Sequence, residues 1–67
     1  MTNEQIEKLA SYIAYLRSRF NVYMDDGNTY MLDCISSKTE AAREIAIVFD
    51  CREEVFSKVE EMEGRSL

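Results

Sequence analysis

The chain has 67 residues, 8 Lys+Arg against 13 Asp+Glu, a formal charge of −5, no His, no Trp, no Pro and only two Cys. That length allows one domain (1–67) that buries roughly 60% of the surface of its unfolded form, so self-association is the expected source of extra stability. Without His no Ser-His-Asp or Cys-His arrangement can form, no GxxxxGK[ST] or GxGxxG run is present, and Cys34 and Cys51 alone cannot assemble a four-ligand zinc set. An enzyme, a cofactor and a metal are therefore not expected. Nor is a membrane span, since no run approaches the ~20 apolar residues a bilayer crossing needs. An acidic N-terminus unlike a signal peptide and two thiols too few for a disulfide scaffold point to a cytoplasmic protein.

In chain order, Ile6, Leu9, Ala10, Ile13, Leu16 and Phe20 recur at steps of three and four, the spacing of one helix face. Thr2 and Gln5 form the pattern of a capping box, and Glu4 and Glu7 precede Arg17 and Arg19 as the helix dipole prefers. Tyr12 and Tyr15 flank the stripe.

The next stretch, FNVYMDDGNTYMLDCI, alternates around Asp25-Asp26-Gly27 and predicts a two-stranded hairpin. Gly27 supplies the positive φ. Phe20, Val22, Met24, Tyr30, Leu32 and Cys34 fall on one face, and Asn21, Tyr23, Thr29, Met31, Asp33 and Ile35 on the other. A free Thr29–Ile35 edge could then pair with its own copy across a two-fold axis. The rival reading starts a helix at Asn28 or Thr29, with Met31, Cys34 and Ile35 on its face. The Asp25, Asp26 and Asn28 cluster lacks the alternation and the twelfth-position Glu of a calcium loop.

From Ser37 onward two further capping boxes are legible, Ser37 with Glu40 and Asp50 with Glu53. Ala41, Ala42, Ile45, Val48 and Phe49 keep helical spacing, as do Val55, Phe56, Val59 and Met62, with Gly64 as the natural stop. The chain either bends at Asp50 or runs as one helix from Lys38 to Glu63, and a break at Asp50 is favoured. The expected fold is thus α+β: an N-terminal helix, a two-stranded antiparallel hairpin, then one long or two shorter C-terminal helices. The alternative is an all-α three-helix bundle.

The segment AREIAIVFDCREEVFSKV resembles a helix-turn-helix. Ala46 stands at the small-residue position, Asp50 where that family has its turn Gly, and Ile45, Phe49, Cys51, Phe56 and Val59 on its apolar positions. The resemblance implies duplex binding by residues 41–59 through Arg43, Arg52 and Lys58. The charge argues otherwise. Residues 21–67 hold 11 acidic and 5 basic side chains, and the second helix of the motif carries Glu53, Glu54, Glu60, Glu61 and Glu63 against Arg52 and Lys58. Nucleic acid is not an expected partner for such a helix.

The functional expectation is a small acidic protein–protein interaction module. It would be a dimeric accessory or inhibitory factor that binds a basic surface of another macromolecule. Tyr12, Tyr15, Tyr23 and Met31 form its apolar contact, and Glu53, Glu54, Glu60 and Glu61, with Glu63, its acidic face.

Overall fold

The computed structural model describes residues 1–65, which form three helices: α1 (Asn3–Asp26), α2 (Thr29–Val48) and α3 (Arg52–Arg65). α1 begins where its sequence places it. The Thr2 hydroxyl accepts the Gln5 N–H at 3.1 Å while the Gln5 side chain accepts the Thr2 N–H at 2.8 Å, satisfying two of the helix's orphan donors.

The expected α+β hairpin is absent, and no strand occurs among the described residues. Gly27 does adopt a positive φ of 68°, but it closes a helix rather than a β-turn. The Gly27 N–H donates to the Met24 carbonyl at 3.2 Å and the Asn28 N–H to the Tyr23 carbonyl at 3.0 Å, the paired bonds of a Schellman ending. Asn28 then reverses role, its side-chain oxygen accepting the Met31 N–H at 3.2 Å to cap α2. A left-handed glycine serves a hairpin and a helix terminus equally well. Val22, Met24 and Tyr30, which the hairpin would have buried together, lie exposed. The fold is the all-α three-helix arrangement, and the rival helix start after Asn28 is the one observed.

The second break falls at Asp50. There the Asp50 N–H donates to the Ile47 carbonyl at 3.0 Å and the Cys51 N–H to the Ala46 carbonyl at 2.9 Å, a second Schellman ending, with Asp50 at φ 54°. The Cys51 carbonyl accepts the Val55 N–H, so Cys51, rather than Asp50, takes the N-cap position of α3. Ser37 starts no helix, since α2 runs through it, and α3 continues through Gly64 to Arg65.

The core joins Ala10 and Ile13 of α1, Ala42 and Ala46 of α2, and Cys51, Val55 and Val59, with Ile6, Leu9, Ala14, Phe56 and Met62 packed at its margin. Leu16 and Ile35 are buried apart from it. Fully burying Ile13, Leu16, Val55 or Val59 contributes about 1.5–3 kcal/mol each. α1 and α3 bury the stripes their spacing predicts. α2 does not. It turns Ile35, Ala42 and Ala46 inward and leaves Ile45, Val48 and Phe49 on the surface; the buried face is rotated about 80° from the centre of the expected stripe, and Val48 lies about 140° from that buried face.

α2 and α3 each pack along α1 and only sparingly on each other. The result is a slab of 37 × 28 × 15 Å. Its thin dimension is about that of two stacked helices measured over Cα atoms. The radius of gyration is 12.4 Å, where a compact chain of this length would show about 11 Å. The accessible surface is 4945 Å², where a compact monomer of this mass would expose about 4,400 Å².

Candidate partner-binding surfaces

Three surfaces arise from this layout. The first is the face of α1 turned away from both other helices. Steps of three and four place Tyr12, Tyr15, Arg19 and Tyr23 along it, with Val22 beside them. Tyr12, Tyr15 and Val22 are 45%, 57% and 42% exposed. The Arg19 guanidinium lies 4.8 Å from the centre of the Tyr23 ring and donates to the Tyr23 hydroxyl at 3.0 Å. That hydrogen bond, followed by the charge interaction with the same residue, raises the Arg19 pKa further above its ordinary value. The pair fixes a cation among tyrosines, so Arg19 and Tyr23 are held on the surface as one unit.

Of the four expected apolar contact residues, the structure thus brings Tyr12, Tyr15 and Tyr23 onto one helix. Met31 is half-buried in the first turn of α2, beyond the Gly27 reversal, and is not part of that stripe.

The second surface is the outer side of α3. Glu53 and Glu60 stand two turns apart on one ridge, Glu54 and Glu61 two turns apart on the next, and all four are exposed. The cations at its edge are engaged. Lys58 reaches Glu61 at 3.4 Å and Glu7 at 3.9 Å, while Arg17 donates to Glu63 at 2.8 Å and lies 5.5 Å from the centre of the Phe56 ring. Among the described residues no ion pair engages Glu53, Glu54 or Glu60.

The third surface is the groove that α2 and α3 leave between them. One hollow of about 500 Å³ is lined by Phe20, Asn21, Ser36, Thr39, Glu40 and Glu63, and another of about 930 Å³ by Ile47, Asp50, Arg52, Glu53 and Glu54. Arg17, Arg43 and Phe56 border both. Sequence reasoning missed this groove. Its only signal was a pair of aromatics, Phe20 and Phe56, at the ends of helical stripes whose neighbours sink deeper.

The helix-turn-helix resemblance is met in part. Ala46 and Cys51 are buried at the α2–α3 corner, and Val59 is fully covered, but Ile45 and Phe49 are 45% and 57% exposed where that pattern needs them inside. Arg43, Arg52 and Lys58 do not form a common basic strip, because Arg43 and Arg52 line the groove among carboxylates and Lys58 is paired.

Cys34 is half-buried and Cys51 buried, both unpaired, and the Cys51 thiol donates to the Met1 sulfur at 3.2 Å. Among the described residues no group of acidic or thiol side chains is arranged to hold a metal, and no helix is long and apolar enough to cross a membrane. Comparison with protein-family models, with curated proteins and with solved structures found no match.

Proposed function

We propose that this chain is a small acidic interaction module, a dimeric accessory or inhibitory factor of the cytoplasm that occupies a basic surface on another macromolecule. The carrying observation is the outer side of α3, where Glu53, Glu54, Glu60 and Glu61 are all exposed and where, among the described residues, no ion pair engages Glu53, Glu54 or Glu60. An uncompensated anionic ridge about 10 Å long attracts a cationic surface over several ångströms and sets the rate and orientation of encounter. The exposed tyrosines Tyr12 and Tyr15 lie on a separate helix, α1, and supply an apolar surface suited to self-association. The reading assigns the chain no catalysis and no cofactor, in keeping with the absence of His.

The test is an affinity capture from the native lysate at low salt, comparing the immobilised chain with its Glu53→Lys, Glu54→Lys, Glu60→Lys, Glu61→Lys variant. A basic partner held by the first, lost by the second and released by salt is the expected result. Equal capture by both chains, or none by either, would disprove the proposal.

The alternative is a helix-turn-helix regulator that binds DNA through residues 41–59. It has the buried Ala46–Cys51 corner in its favour and the charge of α3 against it.

A further inference from the structure

α1 packs against both α2 and α3, and among the described residues the side that carries Tyr12, Tyr15 and Val22 stays exposed, yet that side is not the Lys/Glu surface a solvated helix usually presents. Lys8, Tyr12, Tyr15, Arg19, Val22 and Asp26 follow one another at steps of four, three, four, three and four, the heptad spacing of a helix-pairing seam. This seam is distinct from the one that buries Ala10, Ile13 and Leu16.

We propose that a second copy of this chain covers that seam, α1 against α1, antiparallel about a two-fold axis at position 17. The inference rests on the dimer of the preceding section and names its surface.

The seam is complementary to its own reverse. Lys8 and Asp26 are equidistant from position 17, as are Tyr12 and Val22, and Tyr15 and Arg19. An antiparallel pair therefore sets Lys8 against the partner's Asp26, Tyr12 against the partner's Val22, and Tyr15 against the partner's Arg19. Those are an ion pair, an apolar contact and a cation–π contact, each made twice, as an isologous interface requires. Parallel pairing would instead oppose Lys8 to Lys8, Arg19 to Arg19 and Asp26 to Asp26, three like-charge layers. The Arg19 guanidinium already stacks on Tyr23 at 4.8 Å, which holds it on the seam and leaves its second face for the incoming Tyr15 ring. Among the described residues Lys8 pairs with Glu4 one turn away, at 3.2 Å, in an exposed ion pair that a partner carboxylate can share.

The experiment is sedimentation equilibrium on the purified chain with no partner present. The expected mass is twice 7.8 kDa. Tyr15→Lys, which sets a second cation against the partner's Arg19, should weaken the dimer at least about tenfold with helix content unchanged by circular dichroism, because Tyr15 is exposed in the monomer. Lys8→Asp should also weaken it, and Lys8→Asp combined with Asp26→Lys should restore it. In a Cys34→Ser background, a mixture of Tyr12→Cys and Val22→Cys chains should form an intermolecular disulfide more readily than either chain alone. A monomer at the highest soluble concentration, a dimer indifferent to Tyr15→Lys, or preferential Tyr12→Cys self-linkage would each overturn the proposal. None of these readings involves Glu53, Glu54, Glu60 or Glu61, so failure here leaves the acidic-face proposal standing, and the converse holds.

Discussion

The Cys51 backbone N–H donates to the Ala46 carbonyl at 2.9 Å, and both side chains lie in the core, at 5% and 0% exposure. That single bond ends α2, directs the chain into α3 and seals the corner with the apolar contact that accompanies such endings. It also requires the intervening Asp50 to hold φ at 54°, a left-handed conformation that costs a non-glycine residue about 1 kcal/mol. Asp50→Gly should therefore stabilise the fold by about 0.5–1 kcal/mol, a rise of a few degrees in Tm. Asp50→Val should destabilise it by more than about 1 kcal/mol, because a β-branched residue tolerates that φ least. Thermal melts followed by circular dichroism decide both.

The two glycines predict opposite signs for the same change. Neither would bring an added Cβ within 4 Å of another group, so only the backbone matters. Gly27→Ala, at φ 68°, should cost about 1 kcal/mol. Gly64→Ala, in the last turn of α3, should gain a few tenths of a kcal/mol of helix propensity, about half the interior value or less. Urea titration of both variants should place their midpoints on either side of the unmodified protein.

Asn28 completes the ending of α1 and caps α2, so Asn28→Ala removes the acceptor for the Met31 N–H while keeping the backbone bond to Tyr23. A loss of about 1 kcal/mol is expected. Hydrogen exchange should rise first at the start of α2. An unchanged exchange pattern would show that the cap contributes nothing.

The phase of α2 is tested by a contrast. Ile13→Ala should cost about 2–5 kcal/mol and Ala46→Leu about 1–3 kcal/mol by overpacking, since both positions are 0% exposed. Val48→Ala, at 79% exposure, should change stability by no more than about 0.5 kcal/mol. A Val48 effect as large as that of Ile13 would contradict the observed burial.

Duplex DNA should not bind. Lys58 and Arg17 are committed to carboxylates, and α3 presents Glu53, Glu54, Glu60 and Glu61 to any groove it would enter. Fluorescence polarisation of a labelled duplex should stay flat at low salt, where electrostatic binding is strongest. A salt-sensitive rise lost on Arg43→Ala or Arg52→Ala would revive the helix-turn-helix reading.

How far the fold was legible varied from helix to helix. α1 and α3 could be read because each carries a regular apolar stripe and α1 also has its cap in sequence, Thr2 with Gln5, and those local bonds form as written. The stretch from Asn21 to Ile35 could not, because a left-handed Gly27 is compatible with a hairpin and with a helix ending alike. Local chemistry there is degenerate, and the choice falls to which apolar residues find a partner. α2 misled for a related reason. Ile45, Val48 and Phe49 are the larger side chains, but Ala42 and Ala46 let α1 approach, and close packing selected the smaller face.

Of the surfaces, the glutamate face of α3 was legible as a group in the sequence, while the alignment of the tyrosines along one helix was not. Tyr12, Tyr15 and Tyr23 share a stripe only once residues 20–26 are helical, and Met31 leaves it for the same reason. The sequence by itself settled the charge, the missing chemistries, the N-terminal cap and the apolar stripes of α1 and α3, because these depend on residues a few positions apart. Only tertiary structure decided that residues 21–26 and 29–35 are helical, which face of α2 turns inward and which side of α1 stays bare. Those outcomes depend on competition between distant apolar surfaces for the same neighbour, and spacing along one chain carries no record of that contest.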